Sequence, residues 1–279
     1  MLCDLHIHSC YATGNQTPEE IIKEAISKNI GLISVTDDDT MDAYREFPEI
    51  AAQHNVAFIR GLQVSASLRG HFFRLLAYDC DPENPPLNDL LRENLGVWHD
   101  FGGELVMILS KDHPELSVDE YSGYTKDPKH GGFKYNSYFF HKGLDGSYEA
   151  GMERFRQYQE EMTGAMKYLQ FRPVEEVIEI THDAGGRAII PGGYLRNAET
   201  LATDIENSVR MGIDGLECFS PNYSEEMTQI ARRCAEKHAL LITGGGDGHG
   251  TWAKPETFAI GVPEIDDKEL NLGTIRVYG

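Results

Sequence analysis

MLCDLHIHSC, residues 1–10, is a mostly apolar segment that ends in two histidines separated by one residue. Residues 1–6 predict a β-strand, and residues two apart on a strand face the same way. His6 and His8 can therefore reach a single ion, as the ligands of a metal site must. Taken alone, the pair can equally be two ordinary polar residues at the end of a strand.

Short apolar segments alternate with helix-like segments in both outer parts of the chain. Helix-like periodicity covers residues 18–28, 42–54, 174–184, 198–211 and 223–238, and strands are predicted for residues 1–6, 31–36, 56–59, 187–190, 213–219 and 239–243. Thr17 is a typical N-cap for the first helix, because Pro18 and Glu20 follow at the positions that favour a helix start. This alternation is typical of a parallel β-sheet or barrel.

Between about residue 80 and residue 172 the alternation stops, and the sequence predicts helices joined by polar loops. We expect this part to fold over the α/β part, where a lid or substrate-selecting role would suit its position. A stabilising subdomain without contact to any site is the alternative.

Composition limits the classes of partner. The 45 acidic and 25 basic residues give a net charge of −20, which repels long nucleic acids, although a few local cations can still bind a small phosphorylated molecule. Without an apolar run of about 20 residues or a targeting segment, no membrane contact is expected and the expected location is the cytoplasm. Five scattered cysteines with no C-x-x-C pair favour neither disulfides nor a zinc–thiolate site.

Two further polar segments follow predicted strands. SVTDDDT places Asp37, Asp38 and Asp39 side by side, and ITGGGDGHG presents Asp247 and His249 after three glycines. Adjacent carboxylates repel one another unless a cation is near, although an Asp-rich turn that caps a helix is the alternative reading. In a parallel barrel the carboxyl ends of strands meet on one face, where active sites are built. Together with the first segment, these turns predict a metal site.

The segments DLHIHS, TPEEIIKEAISKNIGLISVTDDDT, GLQVSASLRGHFFRLLAYDCD, VEEVIEITHDAGGRAII and LLITGGGDGHG resemble, in this order, the PHP (polymerase and histidinol phosphatase) superfamily of metal-dependent phosphoesterases. The resemblance implies an α/β fold, a distorted seven-stranded (β/α) TIM-like barrel. It assigns residues 1–80 and 173–279 to that barrel and residues 81–172 to a helical insertion. It also implies up to three divalent ions that activate water to cleave a phosphate ester.

Half of the family's usual ligand set is changed in this chain. His6, His8, Asp37, Asp247 and His249 match the motifs, whereas the usual ligands are replaced by Thr13, Asp38, Gln63, Arg74 and Gly192. One of the three sites loses all its ligands, so we expect that ion to be absent. The remaining set implies one or two ions of Zn, Mn or Fe, with a first ion at His6, His8 and Asp247 beside Gln63, and a second at Asp38 and His249.

Arg74 restores one positive charge where the lost ion would lie, and a guanidinium can donate to a phosphate as that ion would. Further candidate substrate-binding residues are Arg196, Lys129, His130 and Lys134. Asp37 and His249 are the candidate proton carriers, and Arg74 is expected to bear developing charge during catalysis.

The function predicted is hydrolysis of small phosphate esters or nucleotides by metal-activated water. An amidohydrolase-like carbonyl hydrolase and a phosphate- or nucleotide-binding protein that has lost catalysis are the alternatives. The sequence identifies neither the substrate nor the oligomeric state.

Overall fold

The computed structural model describes residues 1–144, 147–158, 163–195 and 197–279. Within these ranges the strands form two sheets. The first is parallel, in the order β1-β2-β3, and contains β1 (Leu2–Ile7), β2 (Ile30–Val35) and β3 (Ala57–Phe58). The second has the order β4-β5-β6-β7-β8 and contains β4 (Gly61–Leu68), β5 (His71–Tyr78), β6 (Arg187–Ile190), β7 (Gly215–Phe219) and β8 (Leu241–Gly244).

The second sheet departs from the expected parallel pattern. Strand β5 is antiparallel to both β4 and β6, whereas β6, β7 and β8 are parallel. The two sheets meet through single parallel bridges between Ile7 and Gly248 and between Asp38 and Gln63. The α/β class is therefore confirmed, and an all-parallel arrangement is wrong. A closed TIM-like barrel is not established by this pairing.

The helices predicted in the outer parts of the chain are present. The described helices are α1 (Pro18–Ser27), α2 (Phe47–His54), α3 (Pro85–Leu109), α4 (Val118–Gly123), α5 (Lys134–His141), α6 (Tyr148–Gln157), α7 (Val174–Asp183), α8 (Leu201–Arg210) and α9 (Glu225–His238). Thr17 caps α1 as predicted, because its side chain accepts from the Glu20 amide while the Glu20 carboxylate accepts from the Thr17 amide. Residues 42–54 divide into a 3₁₀ turn, Asp42–Arg45, and helix α2.

The described elements between β5 and α7 are helical, as expected for residues 81–172. Their interior is an aromatic cluster of its own, which includes Trp98, Phe101 and Tyr138. The division of the chain into a barrel and an insertion at these boundaries remains a prediction.

Asp39 joins the long helix α3 to the sheets. Its carboxylate is fully buried and accepts from the amide and hydroxyl of Ser65, from Asn94 Nδ2 at 2.8 Å and from Trp98 Nε1 at 3.1 Å. Since Asn94 and Trp98 belong to α3, this one carboxylate fixes the helix across the strand ends. The structure thus gives Asp39 an anchoring position, while Thr40 accepts from the Asp42 amide at the following turn.

Among the described residues, no helix combines the length and the apolar character needed to cross a membrane.

Candidate metal centre

Three side chains at the strand ends point their ligand atoms at one another. His6 Nε2 and His8 Nε2 lie 3.3 Å apart, and Asp247 Oδ1 lies 3.4 Å from the first and 3.2 Å from the second. A tetrahedral ion with ligand bonds of about 2.0–2.1 Å separates its ligand atoms by about 3.3 Å. The donor set and the edges of this triangle therefore fit a zinc-like divalent ion. Within the described ranges, this is the group of His, Cys, Asp and Glu side chains that could hold a metal.

Backbone contacts bring β1 against the turn that follows β8. Asp4, buried in β1, accepts from the amides of His6, Gly246 and Gly261. His8 then donates its amide to the Gly248 carbonyl at 2.8 Å. A side chain on Gly246 would overlap the Ala259 carbonyl, so the close approach requires glycine. The two turns are thus held together by the main chain, independently of any ion.

Glu217 orients the first histidine and was missed by the sequence analysis. Its buried carboxylate lies 2.7 Å from His6 Nδ1 and accepts from the Gly192 amide at 2.8 Å. A carboxylate on the far nitrogen of a ligand histidine fixes the ring and increases its basicity. An acidic residue near the carboxyl end of strand β7, whose other residues are Gly215, Leu216, Cys218 and Phe219, is the feature that could have revealed it.

The centre is strongly charged. Burial alone lowers the pKa of His6, but the carboxylates of Glu217 and Asp247 outweigh burial and raise this pKa to about 9. Burial likewise acts to raise the pKa of Asp247, yet His6 and its neighbouring histidines hold it well below its usual value. Asp247 is therefore an anion, as a carboxylate that ligates a metal must be.

Gln63 lies beside the triangle. Its Nε2 is 3.0 Å from His6 Nε2, while its Oε1 is buried without a hydrogen-bond partner. The oxygen and nitrogen of a glutamine side-chain amide are distinguished by their hydrogen-bond partners. Rotation of the Gln63 amide by 180° would point Oε1 at the ion position. The structure thus places Gln63 as a neutral neighbour of His6, beside the triangle.

Asp38 and Arg74 form an ion pair with each other. The sequence had predicted separate roles, with Asp38 as a metal ligand and Arg74 as a phosphate-binding residue. Asp38 Oδ1 is 3.2 Å from Arg74 Nε, and Asp38 Oδ2 accepts from Thr13 Oγ1 at 2.6 Å and lies 3.5 Å from His8 Nδ1. Although burial opposes ionisation, Arg74 above all lowers the pKa of Asp38. The Asp38 carboxylate is thus compensated by protein groups, and it is not part of the triangle.

His249 stacks on His8 with ring centres 4.2 Å apart, and its Nδ1 lies 2.7 Å from the Asp247 carbonyl oxygen. With Nδ1 donating to that carbonyl, Nε2 carries the lone pair. Burial, assisted by His8, lowers the pKa of His249 to about 4. This ring is near the triangle but contributes no atom to it.

Asp37 has an environment different from that of a proton carrier. Its two oxygens accept from the Ser9 amide at 2.6 Å and the Ser9 hydroxyl at 2.5 Å. The residue is buried, and burial raises its pKa to about 6. These contacts fix the turn after β1.

The expected substrate-binding cations of the insertion do not reach the centre. Lys134 donates to the Ser122 carbonyl and lies over the Tyr121 ring, Lys129 is exposed, and the His130 ring packs on Phe140. None of the three lines either cavity at the centre. Their assignment to the substrate stays a prediction, with no contact here in its favour. Arg196 lies outside the described residues.

Gly192 occupies the position where the resemblance implies a histidine. A Cβ here would lie 2.6 Å from Ser220 Cβ, so the Ser220 side chain leaves no room for an imidazole in this arrangement.

Two cavities meet at the triangle, and Arg74, Asp247 and His249 line both. The polar cavity, of about 340 Å³, also contains His6 and Glu217. The other, the aromatic chamber, has a volume of about 420 Å³ and lies between the insertion and the turn after β8.

The sequence profile of the PHP domain matches residues 4–186, well over half of the chain. This chain belongs to the PHP domain family. Among curated relatives, the PHP chain is 25% identical to the 5'-3' exoribonuclease Rnm of Salmonella typhimurium (89% of this chain, 85% of the relative). It is also 25% identical to the 3',5'-nucleoside bisphosphate phosphatase of Chromobacterium violaceum (88% and 86%). These relatives confirm the expected class, a metal-dependent phosphoesterase.

Solved structures agree with the fold of this PHP chain. A metal-dependent phosphoesterase from Bifidobacterium adolescentis superimposes with a TM-score of 0.75 at 20% identity, covering 96% of this chain and 93% of that one. An amidohydrolase from Chromobacterium violaceum, solved with sulfate and no metal, gives a TM-score of 0.70 at 22% identity, covering 95% and 91%.

Proposed function

We propose that this protein hydrolyses phosphate esters of small molecules or nucleotides, with one divalent ion held by His6, His8 and Asp247. The observation that carries the proposal is the triangle of ligand atoms with edges of 3.2–3.4 Å, which opens into the same cavity as the Arg74 side chain. An ion bound there supplies Lewis acidity and makes a coordinated water more acidic.

Arg74 binds the phosphate in this proposal. Its guanidinium carbon lies 5.2 Å from the centre of the Phe72 ring and 5.9 Å from that of Trp98, so the group is flanked by aromatic faces. Burial acts against its charge, but Asp38 outweighs burial and raises the pKa of Arg74, which stays protonated. A fixed guanidinium can donate two parallel hydrogen bonds to phosphate oxygens and bear the charge that develops on them.

His249 moves the proton. Its Nε2 lone pair is available because Nδ1 faces the Asp247 carbonyl, and the ring lines both cavities. Such a nitrogen can accept a proton from water and return it to the leaving oxygen. Asp37 is left out of this path, since Ser9 occupies both of its oxygens. A second ion at Asp38 is not required, because Arg74 and Thr13 already compensate that carboxylate.

The experiment is turnover of a phenyl phosphate ester and a nucleotide panel by protein that has been stripped with a chelator and reloaded with Zn, Mn or Fe. We expect activity with the ion, none without it, and a loss of at least about 10²-fold in His8→Ala. His71→Ala is the matched control, since His71 is exposed at the β4–β5 turn.

Bound metal without turnover of any phosphate ester would overturn the proposal and favour a binding protein that has lost catalysis. Hydrolysis of carbonyl esters or amides in place of phosphate esters would favour the amidohydrolase-like alternative.

A further inference from the structure

Residues 9–16, the β1 turn, connect β1 to α1 and lie between the metal ligands and the helical insertion. The base of the turn is closed by its own main chain, because the amides of Ala12 and Gly14 both donate to the Ser9 carbonyl. A Cβ on Gly14 would overlap the His8 carbonyl oxygen, so the turn packs directly against the strand that carries the ligands. The base of the β1 turn is thus fixed without help from the insertion.

Three carbonyls further along the β1 turn accept hydrogen bonds from the insertion. Lys126 Nζ donates to the Ala12 carbonyl and, at 3.4 Å, to the Cys10 carbonyl. The Gly132 amide donates to the Thr13 carbonyl at 2.7 Å. A carbonyl that loses its donor inside the protein is unfavourable, so these bonds fix the turn against the insertion. Lys126 provides two of the three contacts, and the proposed mechanism does not use it.

The charge of Lys126 also suits this position. The side chain is half-buried, and burial lowers its pKa, whereas the carboxylate of Asp37 acts in the opposite direction more strongly than any other group. Asp37 in turn accepts from the amide and the hydroxyl of Ser9, at the start of the β1 turn. The lysine therefore compensates a buried carboxylate beside the turn as well as donating to its carbonyls.

The β1 turn is linked to Arg74 through two side chains. Thr13 Oγ1 donates to Asp38 Oδ2 at 2.6 Å, and Asp38 Oδ1 lies 3.2 Å from Arg74 Nε. Thr13 and Asp38 are buried, so few other orientations are open to them. The direction of the guanidinium consequently depends on where the turn holds Thr13. Both Thr13 and Arg74 stand where usual ligands of the family are replaced, so this link belongs to the altered part of the site.

We propose that Lys126 is a positioning residue for the phosphate site, because it holds the β1 turn so that Thr13 and Asp38 direct the Arg74 guanidinium into the polar cavity. The inference rests on the proposed hydrolysis of phosphate esters, in which Arg74 binds the phosphate. Lys126 lines neither cavity, so its effect on a substrate passes through this link. The metal triangle does not depend on it, since main-chain contacts hold β1 against the turn after β8.

Inorganic phosphate is the first probe, because it tests binding at Arg74 without requiring turnover. Calorimetry on the metal-loaded full chain gives its dissociation constant, and kcat/KM is measured with a phenyl phosphate ester. We expect Lys126→Met to weaken phosphate binding at least about fivefold and to lower kcat/KM about 10–100-fold, with metal content retained. Lys126→Gln, whose amide reaches less far, is measured alongside so that the result does not depend on the folding of one variant. Lys111→Met, at the exposed turn after α3, is the matched control and should change neither quantity.

The Arg74→Met background separates positioning from a general structural role. If Lys126 acts through Arg74, Lys126→Met should change phosphate affinity less than about twofold once Arg74 is already methionine. The same comparison is made with kcat/KM. A loss of equal size in both backgrounds would show that Lys126 supports the fold in general, and it would overturn the proposal.

The outcomes separate the two proposals. Unchanged phosphate affinity and turnover in both Lys126 variants would overturn the positioning role and leave the hydrolase proposal intact. Weaker phosphate binding in Lys126→Met that disappears in the Arg74→Met background, without turnover of any ester by the unaltered protein, would support the role of Lys126 and overturn the hydrolase proposal. Neither phosphate binding nor turnover by the unaltered, metal-loaded protein would overturn both.

Discussion

Arg74 is the residue that most distinguishes this site from one built with three ions. Replacement by methionine removes the guanidinium from the cavity and leaves Asp38 without its cation. We expect Arg74→Met to lower kcat/KM for a phosphate ester by about 10²–10³-fold, the size of effect seen when a group that stabilises transition-state charge is lost. Metal content should be retained, because Arg74 contacts no atom of the triangle.

Steady-state kinetics with metal analysis of each variant checks this expectation. Arg74→Lys, which keeps the charge, should recover part of the rate, and Arg69→Met at the exposed turn of the same hairpin is the control. Unchanged kinetics in Arg74→Met would exclude Arg74 from phosphate binding.

Glu217 acts on the ion through His6. Glu217→Gln keeps the shape of the side chain but removes the charge 2.7 Å from His6 Nδ1. The affinity for Zn or Mn should fall by about 10–100-fold, as for other partners of ligand histidines. Competition with a chromophoric chelator measures this, with Glu236→Gln on the exposed face of α9 as the matched control. Equal affinities in the two variants would contradict the assigned positioning role.

Proton release should accompany metal binding. The carboxylates of Glu217 and Asp247 overcome the effect of burial and raise the pKa of His6 to about 9, so His6 is protonated at neutral pH before the ion enters. An ion must displace this proton, so apparent affinity should fall by about tenfold for each pH unit below 9 and level off above it. Titration calorimetry in buffers of different ionisation enthalpy measures the number of protons released when the metal binds. No proton release at pH 7 would contradict this prediction.

The sequence predicted a metal site because strand ends meet and because residues two apart share a face, and the ligand set of His6, His8 and Asp247 was implied by the PHP resemblance. It could not predict the ion pair between Asp38 and Arg74, which depends on the register between β4 and β5 and on the turn after β2. Lys129 and Lys134 were assigned to the substrate because they are cations near glycines, but no sequence pattern fixes the direction of a side chain in the loop at Lys129 or at the first residue of α5.

Helix α3 depends on one buried carboxylate for its attachment at the strand ends. Asp39→Asn keeps the volume, and asparagine tolerates the left-handed backbone at φ 52°, but its amide nitrogen would face the donors of Ser65, Asn94 or Trp98. We expect a loss of about 2–4 kcal/mol in the free energy of unfolding, since two buried hydrogen bonds lose their acceptor.

Urea denaturation followed by tryptophan fluorescence measures this loss. Asp100→Asn, on the exposed side of the same helix, should change the free energy by less than about 0.5 kcal/mol. Equal midpoints for the two variants would show that the Asp39 contacts do not hold the helix.

Most helices and parallel strands were predicted from the sequence, whereas the antiparallel hairpin was not. Strand β4 does alternate, with apolar Leu62, Val64 and Ala66 between polar Gln63, Ser65 and Ser67, and this strand pattern was not recognised. The turn at Arg69 and Gly70 has positive φ at both residues, 53° and 78°, a conformation that Asn-Gly usually indicates. Because Arg69 occupies the first of these positions in place of asparagine, the sequence lacks the usual signal for this turn.

At the scale of the whole molecule, the protein combines a net charge of −20 with a site proposed to bind an anion. The positive charge that compensates phosphate must therefore be local, and in the proposed mechanism it comes from an ion held by the triangle and from Arg74. The insertion completes this arrangement by covering the strand ends with an apolar wall. We expect fewer ions than in a three-metal site, with the Arg74 guanidinium in the place of one of them.

An anomalous difference map from crystals grown with Mn or Zn tests the central claim most directly. The account predicts one strong peak within bonding distance of His6 Nε2, His8 Nε2 and Asp247, and no peak beside Arg74. A peak beside Arg74, or none between the two histidines in protein that turns over a phosphate ester, would contradict it.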